Sequence, residues 1–213
     1  MHEESALAFV ADRARRLLVL PALFDEANKL RRQTAEVMHR LDLSGIDSVL
    51  PDLPGCNDSL QPLEQQTFTH WREAAVAAMA HFRPTHVLAI RGGALLDTGN
   101  LPGWRFAPVN GRSMLRSMLR ARTIAAKEAG RNETIDGIQA SARTGGIELA
   151  GWRLGAIMFQ ELEQATPPEV TRLADLGLAD LGGSGLWLRA EPDEDPEQAD
   201  ALAAIIAIGM RPL

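Results

Sequence analysis

The sequence contains no tyrosine, a single cysteine at Cys56, and only two lysines, Lys29 and Lys127. Lacking tyrosine, it has no phenol for catalysis. With one thiol it forms neither an internal disulfide nor a cysteine-based zinc cluster. Long apolar runs are also missing: the stretch Ala201 to Ile208 falls far short of the ~20 residues of a membrane span. The opening Met1-His2-Glu3-Glu4-Ser5 is acidic and does not resemble the basic start of a secretory signal, so the expectation is a cytoplasmic protein. Histidine is scarce, with five residues (His2, His39, His70, His81 and His86), and none follows His86. A formal net charge of -6 argues against bulk nucleic-acid binding.

What is present fits a folded chain of ordinary composition. Hydrophobic residues make up 46% and charged residues 23% of 213 residues, which excludes disorder as the main state and allows a full core. One domain over 1–213 is expected, with 111–143 as a candidate cap or lid insertion. Leu17 to Leu20, Asp47 to Leu50 and Thr85 to Ile90 read as buried strands, the first two stopped by Pro21 and Pro51. Asp25 to Leu41 and Pro62 to Phe82 carry helical patterns between them. Strand, helix, strand, helix, strand implies right-handed crossovers and a mostly parallel sheet with helices on both faces. Further along, Trp104 to Val109 reads as a strand, Gly111 to Arg131 as a helix and Gly145 to Trp152 as a strand or hairpin. Leu154 to Ala165 reads as a helix, Gly185 to Arg189 as a last strand, and Pro196 to Ile208 as a closing helix behind an acidic loop.

In such sheets ligands bind beyond the carboxyl ends of the strands. Those ends bring together the loops at Pro21 to Asp25, Pro51 to Ser59 and Arg91 to Gly93. The candidate binding set is therefore Phe24, Glu26, Cys56, Asn57, Asp58, Arg91, Gly92 and Gly93. Arg91, beside the free amides of Gly92 and Gly93, suits a small carboxylate or phosphate. Equally, it pairs inward with Glu26, Asp52 or Asp97 and closes the pocket. Cys56 reads as a displaced nucleophile or as a small buried side chain. Asn57, Asp58 and Ser59 read as ligand contacts or as turn and cap residues. Glu26 reads as a polar ligand contact or as an acid suited to a first helical turn. No metal ligand set and no cofactor motif stand out.

A second feature lies between residues 105 and 127, which hold Arg105, Arg112, Arg116, Arg120, Arg122 and Lys127 and no acid. Arg112, Arg116 and Arg120 are four apart and share one helix face. That face is a candidate contact for a protein or an anionic surface, or else simply a solvated face. An oligomer, with the acidic stretch Glu191 to Glu197 facing the basic helix of a second copy, is a further option.

The strand leading into Ala89-Ile90-Arg91-Gly92-Gly93 resembles the nucleophile elbow of the α/β hydrolases, whose motif is G-x-S-x-G. More closely, the chain resembles the hydrolase-like proteins associated with exosortase and exopolysaccharide systems in bacteria. The resemblance rests on Pro21 to Arg32, Leu50 to Ser59 and Leu88 to Leu96, with Gly111 to Arg122 and Gly146 to Trp152 looser. It implies a three-layer α/β-hydrolase-like fold with a reduced cap and a truncated C-terminal part. The serine position holds Arg91, and Pro21-Ala22 stands where many hydrolases have His-Gly. The triad order is serine, acid, histidine, yet every histidine precedes Arg91, and the acids after Trp187 (Asp193, Glu194, Asp195) have no histidine to orient. His86 lies about 16 Å from the elbow along its own strand, and His39, His70 and His81 fall late in helices that return to the same far end. No catalytic residue is assigned. The expectation is a non-catalytic ligand- or partner-binding protein linked to exopolysaccharide or exosortase envelope biogenesis. The alternative is a hydrolase or transferase with a non-standard active site in the same cleft.

Overall fold

The computed structural model describes residues 3–169 and 172–211. Its main sheet combines β1 (Ala6–Phe9), β2 (Arg16–Leu20), β3 (Asp47–Pro51), β4 (His86–Ile90), β5 (Gly103–Phe106) and β8 (Leu173–Leu176). The order across the sheet is β1-β3-β2-β4-β5-β8, with only β1 antiparallel to its neighbour. A two-stranded hairpin of β6 (Ile147–Leu149) and β7 (Trp152–Leu154) stands apart. It turns on Ala150 and Gly151, both with positive φ (49° and 82°), the conformation that matches strand twist in a two-residue hairpin loop.

The central strands are apolar throughout because both of their faces are covered. Leu17 and Val19 of β2 and Leu88 and Ile90 of β4 point to one side, where they join Leu41 of helix α1 (Asp25–Leu43) and Leu202 and Ile206 of α7 (Pro196–Gly209). Leu18, Leu20, Val87 and Ala89 point to the other side, where they meet α2 (Phe68–Phe82), α3 (Gly111–Glu128), α4 (Ile135–Gly145) and α5 (Ala156–Gln164). The result is a mostly parallel sheet with helices on both faces. Within residues 111–143, Met114, Leu115, Met118, Leu119, Ile138 and Ala142 belong to the same buried cluster as β2 and β4. Among the described residues no helix is long and apolar enough to cross a membrane.

Several elements differ from the sequence reading. Residues 185–189 do not form the last strand; Leu186–Leu188 is a short 3-10 turn, and the outermost strand is β8. The alternation of Leu186, Trp187 and Leu188 serves a different purpose: Leu186 is buried, Leu188 is 79% exposed, and Trp187 packs against Arg91 and Phe106. The four-residue helix α6 (Leu178–Leu181) links β8 to this turn. The run from Pro62 to Phe82 is broken, with a 3-10 turn at Leu63–Gln65 and α2 beginning at Phe68. Thr67 is the reason, because its hydroxyl caps the helix by accepting from the His70 amide at 3.1 Å. His70 thus sits in the first turn of α2, not late in a helix. Pro196 at the first turn of α7 and Asp195 accepting from the Gln198 amide fix the start of the closing helix.

Candidate functional site

The carboxyl ends of β2, β3 and β4 meet as the parallel sheet requires. At the end of β4 the chain turns into a 3-10 helix, Arg91–Leu96. Arg91 has φ of 52°, in the left-handed region that costs a non-glycine residue roughly 1–2 kcal/mol. Gly93 makes this turn tight: a Cβ there would lie 2.5 Å from the Leu20 carbonyl oxygen and 2.6 Å from that of Pro21. Gly92 is nearly as confined, with Met114 Sδ at 2.8 Å from the same hypothetical carbon. Both glycines are therefore explained by close packing between the elbow, the β2 loop and α3.

The Arg91 side chain is fully engaged by its neighbours. Its Nε donates to Glu26 Oε2 and its Nη2 to Glu26 Oε1, both at 2.9 Å, and Nη1 donates to the Ala107 carbonyl at 2.7 Å. The guanidinium carbon lies 4.1 Å from the ring centre of Trp187. The pair is mostly enclosed, with side-chain exposure of 12% for Arg91 and 19% for Glu26. This fork-to-fork geometry is the strongest arrangement available to a guanidinium and a carboxylate. Of the two sequence readings of Arg91, the geometry matches inward pairing, with Glu26 as the partner. Trp187 and the Ala107 carbonyl were not anticipated; the signal for Trp187 was an aromatic residue in a glycine-rich stretch, hidden there by its strand-like pattern.

The remaining candidates fall close by, each with a structural task. Phe24 is 2% exposed and packs on Trp71 and Trp152, with ring centres at 5.4 Å and 5.9 Å. Asn57 takes a left-handed turn (φ 51°) and donates from Nδ2 to Asp52 Oδ1 at 2.6 Å. Asp52 is 4% exposed and also accepts from Arg31 at 3.3 Å. Asp58 is exposed and makes no side-chain bond among the described residues. Ser59 accepts from the Gly55 amide at 2.8 Å and closes the turn. Cys56 packs against the core, and burial, reinforced by Asp52 and Glu4, pushes its thiol up to about 12. Such a thiol carries almost no thiolate at neutral pH, so it is a poor nucleophile. A crevice of about 20 Å³ lies among Pro21, Thr34, Asp52 and Asn57, with room for about one water.

No described histidine bonds to the elbow. His86 begins β4, stacks on Trp104 and places Nδ1 3.0 Å from Thr85 Oγ1, at the end of the sheet away from the elbow. His39 contacts Phe9, His81 contacts Phe82, and His2 lies outside the described residues. The acids after Trp187 are engaged locally: Asp193 pairs with Arg189, Glu194 with Arg32 at 2.6 Å, and Asp195 caps α7. Among the described residues no group of three or more His, Cys, Asp or Glu side chains is placed to hold a metal ion.

Three solved structures resemble this arrangement over nearly the whole chain. The ferulic-acid complex of Est1E from Butyrivibrio proteoclasticus has a TM-score of 0.54 at 10% identity, covering 97% of this chain and 92% of that one. Alpha/beta hydrolase domain-containing protein 10 from mouse has a TM-score of 0.54 at 13% identity, covering 96% and 91%. The loop variant of haloalkane dehalogenase DbeA-M1 from Bradyrhizobium elkanii has a TM-score of 0.55 at 10% identity, covering 98% and 96%. The fold is that of the α/β hydrolases. No protein-family profile and no curated protein sequence matches the chain. Arg91 lies directly after β4 with a left-handed backbone, the place in the strand-turn-helix order where the G-x-S-x-G motif puts its serine.

Proposed function

We propose that this chain is a non-catalytic α/β-hydrolase-fold protein that works by binding a ligand or partner in the bacterial cytoplasm, in support of exopolysaccharide or exosortase-linked envelope biogenesis. One observation carries the first part: the elbow residue is an arginine held by both oxygens of Glu26. Acyl transfer at an elbow needs a nucleophile, a base within hydrogen-bond reach and an acid orienting the base. Arg91 supplies none of these, and its guanidinium is already paired with Glu26. The high pKa of Cys56 works against the thiol as a substitute. In this reading Arg91, Gly92, Gly93, Glu26 and Phe24 hold the mouth of the old site in one shape, and Asn57 and Asp58 form its rim. The biological setting rests on the resemblance of Pro21 to Arg32, Leu50 to Ser59 and Leu88 to Leu96 to the exosortase-associated proteins.

The test is hydrolysis of p-nitrophenyl acetate and butyrate by the purified chain. No turnover above buffer is expected. Turnover that disappears in Arg91→Ala or Glu26→Ala, with the circular dichroism of the native fold retained, overturns the proposal. For the setting, deletion of the protein from its host should lower secreted polysaccharide; unchanged output overturns that part alone.

A further inference from the structure

The solvent sides of α1 and α3 carry charge, with Arg31 and Arg32 on the first and Arg112, Arg116 and Arg120 on the second. The closing helix α7 departs from this pattern. From Ala201 to Gly209 it has no polar side chain. Its inner side, Ala199, Leu202, Ala203, Ile206 and Met210, belongs to the core. Its outer side holds Ala201, Ala204 and Ile208, which share one stripe at helical spacing. Ala204 is exposed, and Ile208 is 62% exposed. A helix that is apolar all round is ordinarily covered on every side.

The stripe belongs to a wider patch. Helices α1 and α7 run side by side in the same direction, tied by Gln33 to Asp195 and by Arg40 to Asp200. Leu43 follows Arg40 by one turn on α1, and Ala204 follows Asp200 by one turn on α7, so Leu43 stands level with Ala204. Leu43 is 76% exposed. The ends of the stripe carry opposite charges: exposed Glu197 lies seven residues before Ala204 and exposed Arg211 seven after it. Neither makes an ion pair or a side-chain hydrogen bond among the described residues. A fitting occupant is therefore apolar along its middle, basic at one end and acidic at the other. The chain's own α7 has that pattern. Laid antiparallel about a two-fold axis at Ala204, a second copy sets its Arg211 against Glu197 and its Glu197 against Arg211, so the pair forms twice. Ile208 then lies over the partner's Ala201, and the two Leu43 side chains meet beside the axis. Alanine at the crossing point lets the helices approach to ~8 Å. A parallel copy would set like charge against like.

We propose that this face of α1 and α7 is a homodimer interface, with α7 packed antiparallel against α7 of a second copy about Ala204. The inference goes beyond the binding role of the elbow and does not rest on it.

Sedimentation of the full chain over a concentration series tests it. A reversible monomer–dimer equilibrium is expected. Ile208→Asp and Leu43→Asp should each weaken association at least about tenfold, because each places two charges in the dimer contact. Glu197→Arg or Arg211→Glu alone should weaken it about tenfold, since each reversal sets like charges together at both ends. Combining the two reversals should restore association to within about threefold of the native chain, which a merely structural role for either residue would not do. Arg116→Glu, on the opposite layer, should leave it unchanged. The proposal fails if the chain is monomeric at every concentration, if Ile208→Asp associates as well as the native chain, or if the combined reversal does not restore the dimer. Loss of the dimer in Arg116→Glu also overturns it and assigns the contact to the basic helix. The substituted positions are all exposed, so native circular dichroism separates lost association from lost folding.

Discussion

The ion pair at the elbow makes a quantitative prediction about coupling. Arg91 and Glu26 share two hydrogen bonds at 2.9 Å, and their side chains are 12% and 19% exposed. Removing one member of a fully buried pair costs about 3–5 kcal/mol, since the other charge is left without compensation. Water still reaches these two groups, so about 2–3 kcal/mol is the better expectation for Glu26→Ala. Arg91→Leu should cost a similar amount, because it strands the carboxylate while keeping an apolar contact for Trp187. Leucine also leaves the left-handed backbone penalty in place, so strain cancels from the comparison. In the double variant neither charge remains, and an apolar replacement for an ion pair is near neutral. The double variant should therefore lose only about 1 kcal/mol, and the coupling should exceed about 2 kcal/mol. Urea unfolding followed by tryptophan fluorescence measures all four proteins. Losses that add to within about 0.5 kcal/mol would refute the argument, because independent sites behave that way.

Two further outcomes follow from titration. With its thiol pushed up to about 12 from an ordinary value of 9.0, Cys56 should react with a disulfide reagent at pH 8 about a thousandfold more slowly in the native protein than in urea; equal rates would contradict its burial. Burial lowers the pKa of His86. The unfolded chain, titrating near about 6.5, then holds the extra proton first as the medium is acidified. Stability should fall as the pH drops through the unfolded value, with a shallower fall in His86→Gln; identical slopes in the two proteins would remove His86 as the cause.

The legible part of the fold is the part governed by local pattern. Leu17 to Leu20 and Val87 to Ile90 are apolar on both faces, and that forces a covered parallel sheet whichever helices cover it. The adjacency of Glu26 and Arg91 follows from that topology, since β2 and β4 are neighbours and both residues lie just past their ends. The outer strand β8 was not legible. Its sequence Leu-Ala-Asp-Leu recurs in the helix Leu178–Leu181, so the same four letters fold two ways: the first copy pairs in parallel with β5, where Asp175 also meets Arg105, and the second does not. Trp187 was misread for a related reason: its contacts are with Arg91 and Phe106, far away in the chain, and no local period encodes them. The acidic loop before α7 is tied to Arg32, Gln33 and Arg189, and its links to Arg32 and Gln33 join residues far apart in the chain that no local pattern announces.

On the proposed non-catalytic reading, the tight turn at the elbow bears on how easily a nucleophile could be introduced there. Its shape depends on Gly93 fitting beneath two carbonyls of the β2 loop, and not on which side chain residue 91 carries. A single codon change to serine would place a hydroxyl at the apex of that bend. The proton acceptor is another matter, because its natural site would be among the residues beyond β8, and there Gly177 to Asp195 is committed to α6, the Trp187 contact and the cap of α7. On that reading, placing a hydroxyl at the elbow is thus one step, whereas placing a base beside it requires rebuilding an entire connection.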